Sequence, residues 1–205
     1  MSVSLSRRLA LAAAAAPLAL AGCGINSVPT AEENAKAKWA NVQAAFQERA
    51  NLIPNLAAVA KGAADQEKGI LTGVVEARAK ATSPTIQISG DDLKDPAKVK
   101  AYQDAQNQLS TSLGGLGRLL ANVEAYPQLK SIDNYQMLQS QLEGIENRIR
   151  VAIRDYNEAV RQYNTTIRTF PAVIGAKVIY GSKPMVPYEA VTPNANVAPS
   201  LEGKI

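Results

Sequence analysis

The side chains able to do chemistry are few. The 205-residue chain has no histidine and one cysteine. That removes Cys/His zinc centres, Ser-His-Asp triads and Cys-His dyads, and any intramolecular disulfide. The nearest thing to an acid–base pair is Glu143 with Glu146, adjacent on one face of one predicted helix. Hydrolysis by two carboxylates needs them to flank a substrate, and nothing in the sequence supplies an opposing group. A hydrolase reading would rest on Glu124, Glu143 and Glu146 and is the weakest available. The expectation is a non-enzymatic protein with no metal and no other cofactor.

The remaining reactive group is the thiol of Cys23. It follows Arg7 and Arg8, an apolar run from Leu9 to Ala21, and small residues. A basic start and a run shorter than the roughly 20 residues of a membrane span read as a secretory signal. Leu20-Ala21-Gly22-Cys23 resembles the lipobox of bacterial lipoproteins, which implies cleavage between Gly22 and Cys23 and acylation (palmitate-type chains) of Cys23. Each buried methylene contributes about 0.8 kcal/mol, so the two or three chains of a lipoprotein anchor it firmly. By the same resemblance Gly24 points to the outer membrane, facing the periplasm in a two-membrane bacterium. Loss of residues 1–22 takes away two arginines and no acid, lowering the formal charge from +4 to +2. With no cluster of basic and aromatic residues, nucleic acid is not an expected partner.

With 46% hydrophobic and 5% aromatic residues, the mature chain suits a helical domain better than a sandwich or barrel. Residues 23–29 read as the acylated cysteine and a short tether, and Thr30 with Glu33 as a capping box opening a domain over 30–180. From Trp39 the stripe Val42, Phe46, Arg49, Ile53, Leu56 continues through Ala60, Ala63, Glu67, Ile70, Val74 and Ala77 to Ala81, in spacings of three and four. It keeps phase across Pro54, which predicts a kink within a continuing helix and frees the carbonyl of Ala50. Ser83 to Lys94 reads as a loop, and Asp95-Pro96 as the start of a helix carrying Tyr102, Ala105, Leu109, Leu113, Leu116 and Leu120 inward. Gly114, Gly115 and Gly117 on it suggest close approach of a neighbour. A third stripe runs Tyr135, Leu138, Ile145, Ile149, Tyr156, Val160, Tyr163, Ile167 and Phe170, with the three tyrosines expected in the core. AVIGAKVIYG reads as a helical stub, and residues 181–205, with four prolines, as an extended, flexible tail. Long stripes with short connections predict an all-α, antiparallel up-and-down bundle of the four-helix type. A parallel coiled-coil oligomer is the competing arrangement.

ERANLIPNLAAVAKGAADQE, EARAKA, LGRLLANVEAYPQLKS and YQMLQSQLEGIENRIRVAIRDYNEAVRQYNTTIRTFPAVIGA, together spanning most of residues 31–180, resemble the LemA family of bacterial proteins. The resemblance implies a four-helix type of bundle and no established activity or cofactor. It also suggests envelope partners, among them small proteins of the TPM-domain type, or self-association. Many members begin with an uncleaved membrane helix, whereas a lipobox here implies a lipid anchor. Arg49 and Glu67 occupy positions where the stripe calls for apolar residues. They match charged positions of the family motifs, as do Arg78, Glu124, Glu146, Arg148, Asn157 and Asn164. Such residues are expected to form a paired polar network or a groove that receives a partner. The resulting expectation is a membrane-anchored helical scaffold or adaptor for envelope proteins. The alternative is a module that binds a lipid or other small apolar molecule between its helices.

Overall fold

Spacings of three and four put apolar side chains on one stripe of a helix, and burying those stripes accounts for the observed elements. The computed structural model describes residues 3–60, 68–121 and 135–189, with side chains over 26–59, 69–118 and 137–189. Among them are five α-helices: α1 (Val3–Ala60), α2 (Lys68–Ala81), α3 (Pro96–Ala121), α4 (Tyr135–Thr166) and α5 (Ala172–Val178). A single 3-10 turn, Asp92–Lys94, precedes α3. The expected all-helical bundle is the observed architecture.

These elements build two compact units. The first combines α1 as far as Arg49, the segment Ile88–Pro96 and the segment Leu142–Pro187. Its core joins Trp39, Val42 and Phe46 of α1 to Ile145, Ile149, Tyr156, Val160 and Tyr163 of α4, all buried. The Trp39 and Tyr156 rings lie 5.1 Å apart and tilted by 58°, an aromatic pairing geometry that adds to simple burial. Arg49 meets Glu146 at one end of this contact and Glu32 meets Tyr163 at the other. Seventeen residues backward on α1 therefore match seventeen forward on α4, an antiparallel register held over about 25 Å at 1.5 Å per residue.

The second unit combines α1 from Ala50, α2 with the turn to Gln87, α3 from Ala97, and the start of α4. Ile53, Leu56, Val74, Ala77, Ala81, Tyr102, Ala105, Leu109, Leu113 and Leu116 are buried there. The Ala81 carbonyl, near the end of α2, accepts from the side-chain amides of Gln87 and Gln106 at 3.0 and 3.4 Å. α1 continues through Pro54 to Ala60, so the proline lies within a helix and does not end one. Pro96 is the first residue of α3, after an extended Asp95, as a proline without a free N–H permits.

Several expectations are corrected. Thr30 is not an N-cap: it lies inside α1, and its hydroxyl donates to the Asn26 carbonyl at 2.8 Å. Because the chain before it is already helical, the amides a cap would satisfy are bonded within the helix and the hydroxyl turns back four residues. Residues 24–29 are likewise helical, with Val28 buried. A Cβ placed on Gly114, Gly115 or Gly117 would meet no atom within 4 Å, so no close neighbour requires these glycines. Gly90 is the glycine that does face a close approach, its Cβ position lying 3.0 Å from Cγ of Lys36. Phe170 is 79% exposed, because α4 ends at Thr166 and the buried stripe stops with Ile167.

The tail also departs from expectation over its first residues. It has no regular secondary structure from Gly181 to Glu189, yet Met185 is buried. The Asn164 amide both donates to the Met185 carbonyl at 2.8 Å and accepts from its N–H at 2.9 Å. Val186 donates its N–H to Leu93 and accepts from the Tyr156 hydroxyl, and the Lys183 carbonyl accepts from Tyr163. Residues 190–205 lie outside the described residues. Asn164→Ala strands both polar groups of Met185, so it should cost about 1–3 kcal/mol. Hydrogen exchange should show the Met185 amide losing protection while amides in the middle of α4 keep theirs. Unchanged protection at Met185 would mean the segment is held by its apolar contacts alone.

Candidate functional site

Arg49 sits on the α1 stripe where helix packing calls for an apolar side chain, and it is only 1% exposed. Its Nη1 donates to Oε1 of Glu146 on α4 at 3.2 Å. The guanidinium carbon lies 4.9 Å from the Phe46 ring centre, where the ring face supplies further attraction for the cation. Glu146 retains 41% side-chain exposure, so one partner is dry and the other reaches water. One residue earlier on α1 and two later on α4, Glu48 and Arg148 form a two-pronged pair at 2.6 and 3.2 Å. Both of these side chains are about half exposed.

Next to these pairs α1 and α4 leave an open groove of about 410 Å³. Asn41, Glu48, Asn147, Arg148 and Asp155 give it polar groups, and Ala44, Ala45, Ala152 and the exposed Val151 an apolar lining. Lys38 and Arg154 approach Asp155 at 4.0 and 3.2 Å. The groove thus offers carboxylates, a guanidinium fork and amides around a lining that is mostly apolar, from Ala44, Ala45, Val151 and Ala152. Such groups can form charge-assisted and amide hydrogen bonds at an accessible surface. Among the described residues no group of three or more His, Cys, Asp or Glu could hold a metal ion.

Of the residues singled out by sequence, Arg49, Glu146 and Arg148 are brought together here. Arg78 is placed in the second unit, where its Nε donates to the Ala50 carbonyl at 2.8 Å. Pro54 cannot supply the helical N–H that this carbonyl would otherwise accept, so Arg78 occupies the acceptor the proline frees. Asn157 and Asn164 line a second cleft, in the first unit, beside Pro187. Tyr156 and Tyr163 are buried as expected, and burial pushes the Tyr156 hydroxyl well above its ordinary value. Glu67 and Glu124 lie outside the described residues, as do the side chains of Gly22, Cys23 and Tyr135.

One cluster was not anticipated. Glu32 accepts from Lys94 at 2.6 Å and lies 3.3 Å from Lys36, which also reaches Asp91 at 3.0 Å. The Tyr163 hydroxyl is 3.5 Å from Glu32, and the Lys94 ammonium lies 5.8 Å from the Tyr163 ring centre. Partial burial alone would raise the Glu32 carboxyl, but the hydrogen bonds and charges of Lys94 and Lys36 outweigh it and hold it below its ordinary 4.5. Its sequence signal was the Glu32/Lys36 pair at helical spacing. The contact with Lys94, 62 residues away, has no local signature.

Removing the Glu146 carboxylate leaves a buried guanidinium without that countercharge, whereas replacing Arg49 by an apolar residue leaves a carboxylate that water can solvate. Breaking a buried pair costs about 3–5 kcal/mol, and the exposure of Glu146 places this one at or below the lower end. Urea unfolding should find Glu146→Ala more destabilising than Arg49→Met; the reverse order would show that Arg49 matters for reasons other than this pairing. Because folding lowers the Glu32 pKa, its ionised form favours the folded state above pH 4.5. That contribution disappears as pH falls through the lowered folded value. Glu32→Gln should therefore lower Tm at neutral pH and flatten its fall on acidification; parallel Tm profiles would contradict this.

The LemA family model matches residues 38–202 of the chain. Two relatives, magnetosome proteins MamQ 2 and MamQ 1 of Paramagnetospirillum magneticum, are each 28% identical over 148 residues, covering 65% of this chain. The chain spans about half the length of these relatives, 53% of each. The family match runs from the Trp39 stripe of α1 through the Arg49–Glu146 and Arg78–Ala50 contacts to the docked segment after α5. It covers most of the chain, and on this ground the chain belongs to the LemA family.

Proposed function

We propose that this protein is a non-enzymatic scaffold of the bacterial envelope, held at a membrane and presenting the α1–α4 groove to a protein partner. The observation that carries the reading is the Glu48–Arg148 pair at the groove wall. Its two side chains are 51% and 56% exposed, and exposed pairs contribute only about 0–1 kcal/mol to folding. A partner can therefore exchange its own charges with them at small cost to the fold. Attachment through acylated Cys23 supplies the membrane anchor in this reading, with the outer membrane as its destination. Among the described residues no helix is long and apolar enough to cross a membrane. A small envelope protein of the TPM-domain type is the specific partner that the family resemblance suggests.

The alternative, a lipid or small apolar molecule lodged between helices, has less support. The groove beside Arg148 is open rather than enclosed, and its apolar lining from Ala44, Ala45, Val151 and Ala152 is interleaved with Glu48, Arg148 and Asp155, charges that suit a peptide surface better than an acyl chain.

A photocrosslinking residue in place of Val151, used in cells and followed by mass spectrometry, should capture a reproducible envelope protein or a second copy. Arg148→Glu should reduce that capture several-fold while shifting Tm little, because the pair it breaks is solvated. A wild-type protein that crosslinks to nothing reproducible would sink the scaffold reading. Anchoring is tested separately: Cys23→Ala should abolish incorporation of labelled fatty acid and leave the precursor unprocessed.

A further inference from the structure

Helix α5 is built the wrong way round for a helix that only closes a core. Its small residues Ala172, Gly175 and Ala176 are buried, while Ile174 and Val178 point outward with 56% and 78% exposure. Phe170 before it, and Ile179 and Tyr180 after it, are exposed as well. A helix on a soluble surface places its large apolar residues inward, and contiguous exposed apolar groups mark a contact surface. The chain around them has one sign of charge: Arg161, Arg168, Lys177 and Lys183 occur between Glu158 and Glu189 with no acidic residue among them. Arg161 pairs with Glu158, which leaves Arg168, Lys177 and Lys183, all exposed, flanking the apolar patch.

The position of the patch indicates its occupant. Gln162 and Thr166, at the end of α4, line a cleft together with Asn26, Thr30 and Ala31 of α1. The Tyr163 hydroxyl lies 3.5 Å from Glu32. The end of α4 that leads into α5 therefore lies beside the stretch of α1 that begins three residues after Cys23. Exposed aromatic and aliphatic residues interspersed along the chain with exposed cations have the chemistry of a surface that settles into the headgroup region of an anionic bilayer, with cations on phosphates and apolar groups below.

We propose that residues Arg168–Lys183 form a membrane-surface contact for anionic lipid, at the end of the first unit nearest the N-terminal segment. The contact orients the unit on the bilayer and stands whether or not Cys23 carries a lipid. It adds a second, weaker attachment to the envelope scaffold proposed above.

The test uses the full chain carrying Phe170→Trp, mixed with vesicles of brominated phosphatidylcholine with or without phosphatidylglycerol. Wild-type protein, whose single tryptophan Trp39 is buried, gives the background. The introduced tryptophan should shift to the blue and be quenched by the brominated chains in the vesicles containing phosphatidylglycerol. Reversing Arg168, Lys177 and Lys183 to glutamate should weaken that quenching at least about tenfold in lipid titration, since each cation near an anionic surface adds to the attraction. A chain that floats with the vesicles while residue 170 keeps a water-exposed, unquenched emission overturns this contact but leaves the anchored scaffold standing. Equal quenching with and without phosphatidylglycerol overturns the choice of an anionic surface. A blue shift that appears without vesicles and grows with protein concentration overturns the membrane contact in favour of a second copy of the chain.

Discussion

The first unit depends on how a buried guanidinium is compensated. Withdrawing Arg49 from water costs several kcal/mol unless its charge is matched. Glu146 and the face of Phe46 supply the match. Apolar packing, including the Trp39–Tyr156 pairing, also resists sliding of α1 on α4, and the buried charge adds a penalty that apolar contacts do not carry. A slip of one turn would carry Glu146 about 5.4 Å from Arg49 and take that carboxylate from the buried guanidinium. The pair thus ties the two helices at one register. With the register set, Trp39 meets Tyr156, Glu48 meets Arg148 and Glu32 meets Tyr163.

Pro54 poses the equivalent problem in the second unit, with a dipole in place of a charge. A proline inside a helix leaves the carbonyl four residues earlier without its helical donor, and Ala50 is buried. Arg78, 28 residues later, gives its Nε to that carbonyl. Carrying the helix through the proline and pairing with α2 therefore become one requirement, since an Ala50 carbonyl turned away from Arg78 would be a buried acceptor without a strong donor. The α1 stripe keeps phase across the proline because the helix backbone continues, and Ile53 and Leu56 are buried on either side of it.

What could be read from the sequence divides by range. The stripes from Trp39 to Leu56, from Val74 to Ala81 and from Tyr102 to Leu116 are local periodicities, and the structure buries them. Asp95-Pro96 is likewise a local signal with a local cause. Arg49 could be flagged because a charge interrupts an apolar stripe, but its pairing with Glu146 spans 97 residues, and nothing in the spacing names the partner. The same holds for the Lys94–Glu32 contact and for the docking of Met185 on Asn164. Proline content made the segment after Gly181 look flexible, and proline does exclude helix there. It does not prevent backbone groups from finding partners on Asn164, Tyr156 and Tyr163. Thr30 and Phe170 misled for a related reason: a capping motif and a stripe position have meaning only once it is known where the helix starts and stops.

The charged residues of the first unit also show why residue type alone does not separate support from recognition. Arg49 and Arg148 both reach across from one helix to a carboxylate on the other. Arg49 is dry, so loss of its countercharge is felt by the fold. Arg148 is wet, so its interaction is screened and exchangeable. A partner competing for Arg49 would first have to open the core, while one competing for Arg148 displaces only Glu48 and water. Exposure rather than charge assigns the first pair to holding the helices in register and leaves the second free to be shared.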